Sequence, residues 1–217
     1  MGLHLTSYTK GIIGPMFRSL LRTFHKPIYK HRQQVLVNLI SPHLKPGAKV
    51  LDIGCGFGHL GRALMDASAD HVQVEGLESV KRGDELIPIT AYEGKRIPFP
   101  DRTFDAVILA DVLHHDHDQE RLLREAARIS RNLVIIKDHV RDGFLAQQRI
   151  SFLDWAANAG YNVPCLYEYH NAKEWRALVG QFSSGIVEER TSIDVYPPVF
   201  NELLGKSLHY FVVFRVN

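Results

Sequence analysis

Residues 49–61 read Lys-Val-Leu-Asp-Ile-Gly-Cys-Gly-Phe-Gly-His-Leu-Gly, a short apolar run closed by glycine at every second position. A run of this length and composition is a parallel strand buried on both faces. Gly54, Gly56 and Gly58 then let the chain turn sharply into a helix, and no Cβ keeps a ligand away from the backbone. A ligand held there sits against a helix N-terminus at the carboxyl edge of a sheet. The rest of the chain has to say which ligand.

Two patterns overlap in the loop. Gly56-x-Gly58-x-x-Gly61 fits the G-x-G-x-x-G of dinucleotide-binding folds, which alone would suggest a nicotinamide-dependent oxidoreductase. Asp52-x-Gly54-x-Gly56-x-Gly58 fits a second pattern. A second strand expected over 71–77 ends at Glu78, an acid able to accept hydrogen bonds from both ribose hydroxyls of a nucleoside. Further on, Glu93 precedes Ile97-Pro98-Phe99, and Phe104-Asp105-Ala106-Val107 opens another strand.

In this order and spacing, these four landmarks resemble the class I S-adenosylmethionine-dependent methyltransferases, specifically the small-molecule, type 11-like group. The likeness runs from about Val35 to about His139. It implies a Rossmann-like α/β fold, a doubly wound seven-stranded sheet that is mostly parallel with an antiparallel last strand. It also implies S-adenosylmethionine as cofactor and S-adenosylhomocysteine as product. The implied cofactor contacts are Asp52, Gly54, Cys55, Gly56, Gly58, Glu78, Ser79, Glu93, Gly94, Ala110 and Asp111, with Glu93 on the adenine amino group. Two other readings remain beside it: the oxidoreductase, and a non-catalytic domain of this fold that binds the cofactor as a sensor or scaffold.

Candidate bases follow the fourth and fifth strands: His114 and His115, then Asp138 and His139. In the family a histidine after a Val-Leu pair often serves as general base, and Val112-Leu113-His114 falls there. A base is needed only for an acceptor that must lose a proton, such as an alcohol, phenol or carbon acid. The alternative is a histidine that bonds the loop and packs beneath the cofactor. The run His114-His115-Asp116-His117-Asp118 has metal-ligand chemistry, but consecutive ligands at a helix start rarely converge. Asp116 with Gln119 reads instead as a capping box, so no metal is expected.

At 217 residues and 45% hydrophobic, the chain suits one catalytic domain, and two cysteines make no disulfide framework. A reducing cytoplasm is the expected setting, with no membrane-spanning stretch. Charge is uneven: residues 1–51 hold eight Lys or Arg and no acid. There Phe17, Leu20, Leu21 and Phe24 share a helix face between Pro15 and Pro27, with a second helix expected over 28–41. Such a basic amphipathic helix either packs over the cofactor or makes peripheral contact with an anionic membrane.

Residues 1–34 are thus expected as a helical cap and 35–217 as the catalytic domain, with an acceptor-pocket insertion over about 145–182. Aromatic residues crowd that insertion, among them Phe152, Trp155, Tyr161, Tyr167, Tyr169, His170 and Trp175, as suits an apolar pocket for a small-molecule acceptor. The tryptophans also read as core residues of two helices. Possible acceptors are lipid-like, quinone-like or phenolic. A nucleic acid is disfavoured: Ala110-Asp111-Val112-Leu113 stands where base-methylating relatives carry an Asn/Asp-Pro-Pro-aromatic motif, and no row of stacking aromatics accompanies the basic segment.

Overall fold

The computed structural model describes residues 15–92, 94, 96–158, 165–198, 201 and 205–217, with backbone only for 15–27 and for Lys206. Thus Glu93, Tyr161, Asn162 and the side chains of Phe17, Leu20, Leu21 and Phe24 lie outside the described residues.

Helices and strands alternate: α1 Pro15–Ile40, β1 Lys49–Ile53, α2 His59–Ala67, β2 Gln73–Glu78, β3 Ile89–Ala91, β4 Phe104–Ala110, α3 Gln119–Ile129, β5 Ser130–His139, α4 Ala146–Asn158, α5 Ala172–Gly180, β6 Ser183–Arg190 and β7 His209–Val216. The strands form one sheet in the order β3-β2-β1-β4-β5-β7-β6. β1 pairs in parallel with β2 and β4, whereas β7 runs antiparallel to both β5 and β6. The strand order reverses between β1 and β4, the switch point at which a ligand crevice opens at the carboxyl edge.

The apolar strands are buried because both faces are covered. Leu36 and Ile40 of α1 and Leu60 and Leu64 of α2 close one face. Leu122, Leu123, Ala126 and Ile129 of α3, with Trp175 and Val179 of α5, close the other. Leu122, Leu123, Ala126 and Ile129 read in the sequence as the inward face of this helix, and all four are buried in α3.

Several boundaries differ from the sequence reading. The two N-terminal helices are one, because Pro27 removes a single rung of the bond ladder and leaves the flanking turns bonded. β3 begins only after Pro88, which has no N–H to offer the sheet and supplies just its carbonyl, to Gly76 N at 2.8 Å. Residues near 186–195 read as a strand in the sequence, whereas the sixth strand covers 183–190. α3 is capped by Asp118, which accepts from Arg121 N at 3.0 Å. Asp116 instead closes a tight turn by accepting from Asp118 N at 2.8 Å. Trp175 is a core residue, stacked on Tyr210 with centroids 5.2 Å apart, whereas Trp155 is exposed.

Candidate active site

The glycine loop leaves β1 and enters α2 with Gly54, Gly56 and Gly58 all at positive φ. Gly56 shows what the loop is for. A Cβ built there would meet nothing within 4 Å, so its backbone faces open space. Its N–H donates to Glu78 Oε2 at 2.9 Å, which sets the carboxylate at the end of β2 against the loop. The other oxygen of Glu78 accepts from Ser79 N at 2.8 Å. That oxygen also accepts from Ser79 Oγ at 3.0 Å, so Oε2 is the one that keeps a lone pair for a ligand's hydroxyl.

Asp52 lies beneath the loop, 2% exposed. Burial pushes its carboxyl up to about 7, against the pull of Arg32 and with help from Glu78. A buried acid held so near neutrality is stabilised by an arriving cation. Cys55 is pushed up too, by burial beside Asp52 and Glu78, and stays a thiol. Gly94 is exposed beyond β3. Ala110 ends β4 and Asp111 follows with φ of 57°. An open backbone cradle, a ribose-spacing acid and a buried carboxyl suit a nucleoside that carries positive charge.

Asp111 also serves the fold. Its carboxylate takes Lys137 Nζ at 2.6 and 2.8 Å and the guanidinium of Arg32 from α1. Burial would raise Asp111, but Lys137 and Arg32 hold it well below the usual carboxylate range.

The histidines converge beyond β4 and β5. His114 and His115 form a 3-10 turn over Leu113–His115, and His139 ends β5. His114 Nδ1 lies 2.6 Å from Asp138 Oδ1. Asp138 also accepts from Leu113 N at 3.1 Å and His139 N at 2.7 Å, so one buried carboxylate fixes both loops. Burial would lower His114, but Asp138 and then Asp154 outweigh it and raise it to about 10. His139 goes the other way: burial, then Lys137, lower it to about 4. Its ring lies 5.0 Å from His114, 5.6 Å from Tyr169 and 5.3 Å from His209. Among the described residues, His139 Nδ1 and both nitrogens of His209 have no hydrogen-bond partner. Asp154 of α4 reaches the same spot, accepting from Tyr169 OH at 2.7 Å and Asn158 Nδ2 at 2.6 Å.

The described residues of β1, β2 and β4 that were expected to contact a cofactor and the three candidate histidines therefore share the carboxyl edge of one sheet. Arg32, Lys137, Asp154 and His209 were not expected there. Only Lys137 leaves a trace in the sequence, as the cation that directly follows the apolar run Leu133–Ile136.

The fold is that of a methyltransferase domain. The sequence model of a family described as "Methyltransferase domain" matches residues 28–182, well over half of the chain, and the chain belongs to that family. It is 33% identical over 101 residues to a 27-O-demethylrifamycin SV methyltransferase of Amycolatopsis mediterranei, covering 41% of this chain and 36% of that protein. It is 30% identical over 111 residues to a ubiquinone/menaquinone biosynthesis C-methyltransferase of Bordetella avium, covering 46% and 43%. The chain thus matches less than half the length of these curated relatives. In fold it resembles a SAM-dependent methyltransferase of Aquifex aeolicus, with a TM-score of 0.61 at 17% identity over 92% of this chain and 98% of that one. No described helix is long and apolar enough to cross a membrane.

Proposed function

We propose that this chain transfers the methyl group of S-adenosylmethionine to a small molecule through an acidic hydroxyl or carbon acid, a phenol, enol or hydroquinone of lipid-like or quinone-like type. The reading rests on one observation: a neutral imidazole, His139, stands beside the cofactor edge with Nδ1 unpartnered among the described residues. Amines near neutrality, thiolates and carboxylates need no such group.

When bound, the cofactor supplies an electrophilic methyl on its sulfonium. The chain's own residues do the rest. Gly56 offers open backbone, Glu78 takes the ribose hydroxyls, and Asp52 offsets the positive charge. Positioning the acceptor in line supplies much of the acceleration. His114, held charged by Asp138, orients the loop and accepts no proton. His139 is the candidate base, and a base lowered to about 4 suits only an acceptor whose own proton is already acidic. The O- and C-methyltransferase relatives act, by their names, on acceptors compatible with that chemistry.

The test incubates the enzyme and labelled S-adenosylmethionine with phenols, hydroquinones and primary amines, then repeats it with His139→Asn. Transfer to the hydroxylated set alone is expected, with kcat reduced about 10²–10⁴-fold in the variant and cofactor affinity kept. Transfer to amines, or a loss below tenfold, overturns the reading. Cofactor binding without transfer to any metabolite of a cell extract would favour the sensor or scaffold instead.

A further inference from the structure

Asp138 holds the Nδ1 side of His114, so the Nε2 side faces elsewhere. It faces Asp154 Oδ1 at 3.6 Å, and His115 Nε2 faces the same oxygen at 3.9 Å. One ligand atom from each of the three residues lies within 4.8 Å of the others. These separations are too long for direct hydrogen bonds. The two distances to Asp154 Oδ1 are near what a shared cation requires: metal–nitrogen and metal–oxygen bonds of about 2.0–2.2 Å at a tetrahedral angle set the donor atoms roughly 3.3–3.6 Å apart.

We propose that His114, His115 and Asp154 bind one divalent transition-metal ion of the zinc class. Two imidazoles and one carboxylate are a donor set such ions favour, and three protein ligands leave a position open for a small molecule's oxygen.

The surroundings are built as a metal centre's are. Asp138 on Nδ1 fixes the tautomer that presents Nε2 of His114, the carboxylate–histidine–metal arrangement. Asp154 is oriented in turn, by Tyr169 on one oxygen and Asn158 on the other. Charge fits as well. Asp138 and Asp154 are 1% and 3% exposed; without an ion the proton on His114 helps balance them, and a divalent ion that displaces this proton balances the two carboxylates in its place. Adjacent ligands alone do not converge, which is why the run His114–Asp118, for all its metal-ligand chemistry, was not expected to hold a metal. The 3-10 turn brings the two rings together, tilted by 43° with centroids 4.1 Å apart, and α4 brings the third ligand from further along the chain.

The site is independent of the acceptor reading, because it is tested by binding without an acceptor. The full chain is freed of metal with a chelator and titrated with Zn²⁺ by calorimetry and with Co²⁺ by visible absorption. One equivalent is expected, with the ligand-field bands of a low-coordinate cobalt site. His115→Ala, at a half-buried ring, should weaken binding at least tenfold, and Asp138→Asn about 10–100-fold. His117→Ala, an exposed neighbour outside the set, should leave it unchanged. No stoichiometric ion in the wild-type chain, or equal affinity in the His115→Ala protein, overturns the proposal. So does a loss on His117→Ala as large as that on His115→Ala, which would mark the ion as a surface adduct.

Discussion

Arg32 of α1 and Asp111 at the end of β4, 79 residues apart, form a part-buried ion pair that fastens the N-terminal helix to the carboxyl edge of the sheet. Lys137 completes it from β5, so one carboxylate answers two cations. Beside it, Gln33 Nε2 donates to His59 O at 2.6 Å and ties α1 to the first turn of α2. The end of α1 is therefore part of the wall around the glycine loop.

This arrangement orders the cost of its deletions. Asp111→Ala strands Lys137 and Arg32 together in a buried place and should cost about 3–5 kcal/mol in urea denaturation. Arg32→Ala leaves the Asp111–Lys137 pair intact and removes one charge-assisted bond, about 1.5–3 kcal/mol. Equal losses would show that Arg32, and not Asp111, organises the cluster.

The loop glycines should separate binding from folding. Alanine at Gly56 pays only for its φ of 59°, about 1–2 kcal/mol, because its Cβ meets nothing within 4 Å. That Cβ projects into the space a cofactor needs, so affinity for S-adenosylhomocysteine should fall more than tenfold while the chain still folds. Alanine at Gly58 has φ of 79° and sets its Cβ 2.5 Å from Ile87 Cγ1, so it should lose more stability than the Gly56 variant. Calorimetric titration beside denaturant melts checks both, and unchanged affinity at Gly56→Ala would remove the loop from the binding site.

What the sequence disclosed and what it withheld divide along a physical line. The β1 loop, Glu78 and the inward face of α3 were legible because strand burial, positive φ and a 3.6-residue period each demand particular residue types locally. The partnership of Arg32 with Asp111 was not, since nothing local distinguishes Arg32 from the other cations of an acid-free segment. Asp154 was hidden for the same reason: one acid in α4 acquires its meaning only when α4 folds against the turn holding His114 and His115. The cap shifted from Asp116 to Asp118 because both are good N-caps, and the 3-10 turn before them decides which one the helix begins on.

Acid should loosen this fold from inside the histidine cluster. His139 and His209 are buried and uncharged: burial, then Lys137, lower His139 to about 4 and hold His209 well below the ordinary histidine value. A histidine whose folded pKa lies under its unfolded 6.5 contributes stability that is complete above that value. The contribution is lost as pH falls through the window toward the folded pKa, because the unfolded chain takes up the proton first. Each tenfold loss of proton affinity on folding is worth about 1.4 kcal/mol. Leucine at position 209 has nearly the same volume and leaves no unpartnered nitrogen, so His209→Leu should match or exceed the wild-type Tm at pH 7.5. Between pH 6.5 and 4.5 its Tm should fall less steeply, whatever the carboxylates contribute to both proteins. Parallel melting curves across that range would mean that His209 gains its proton without opening the sheet.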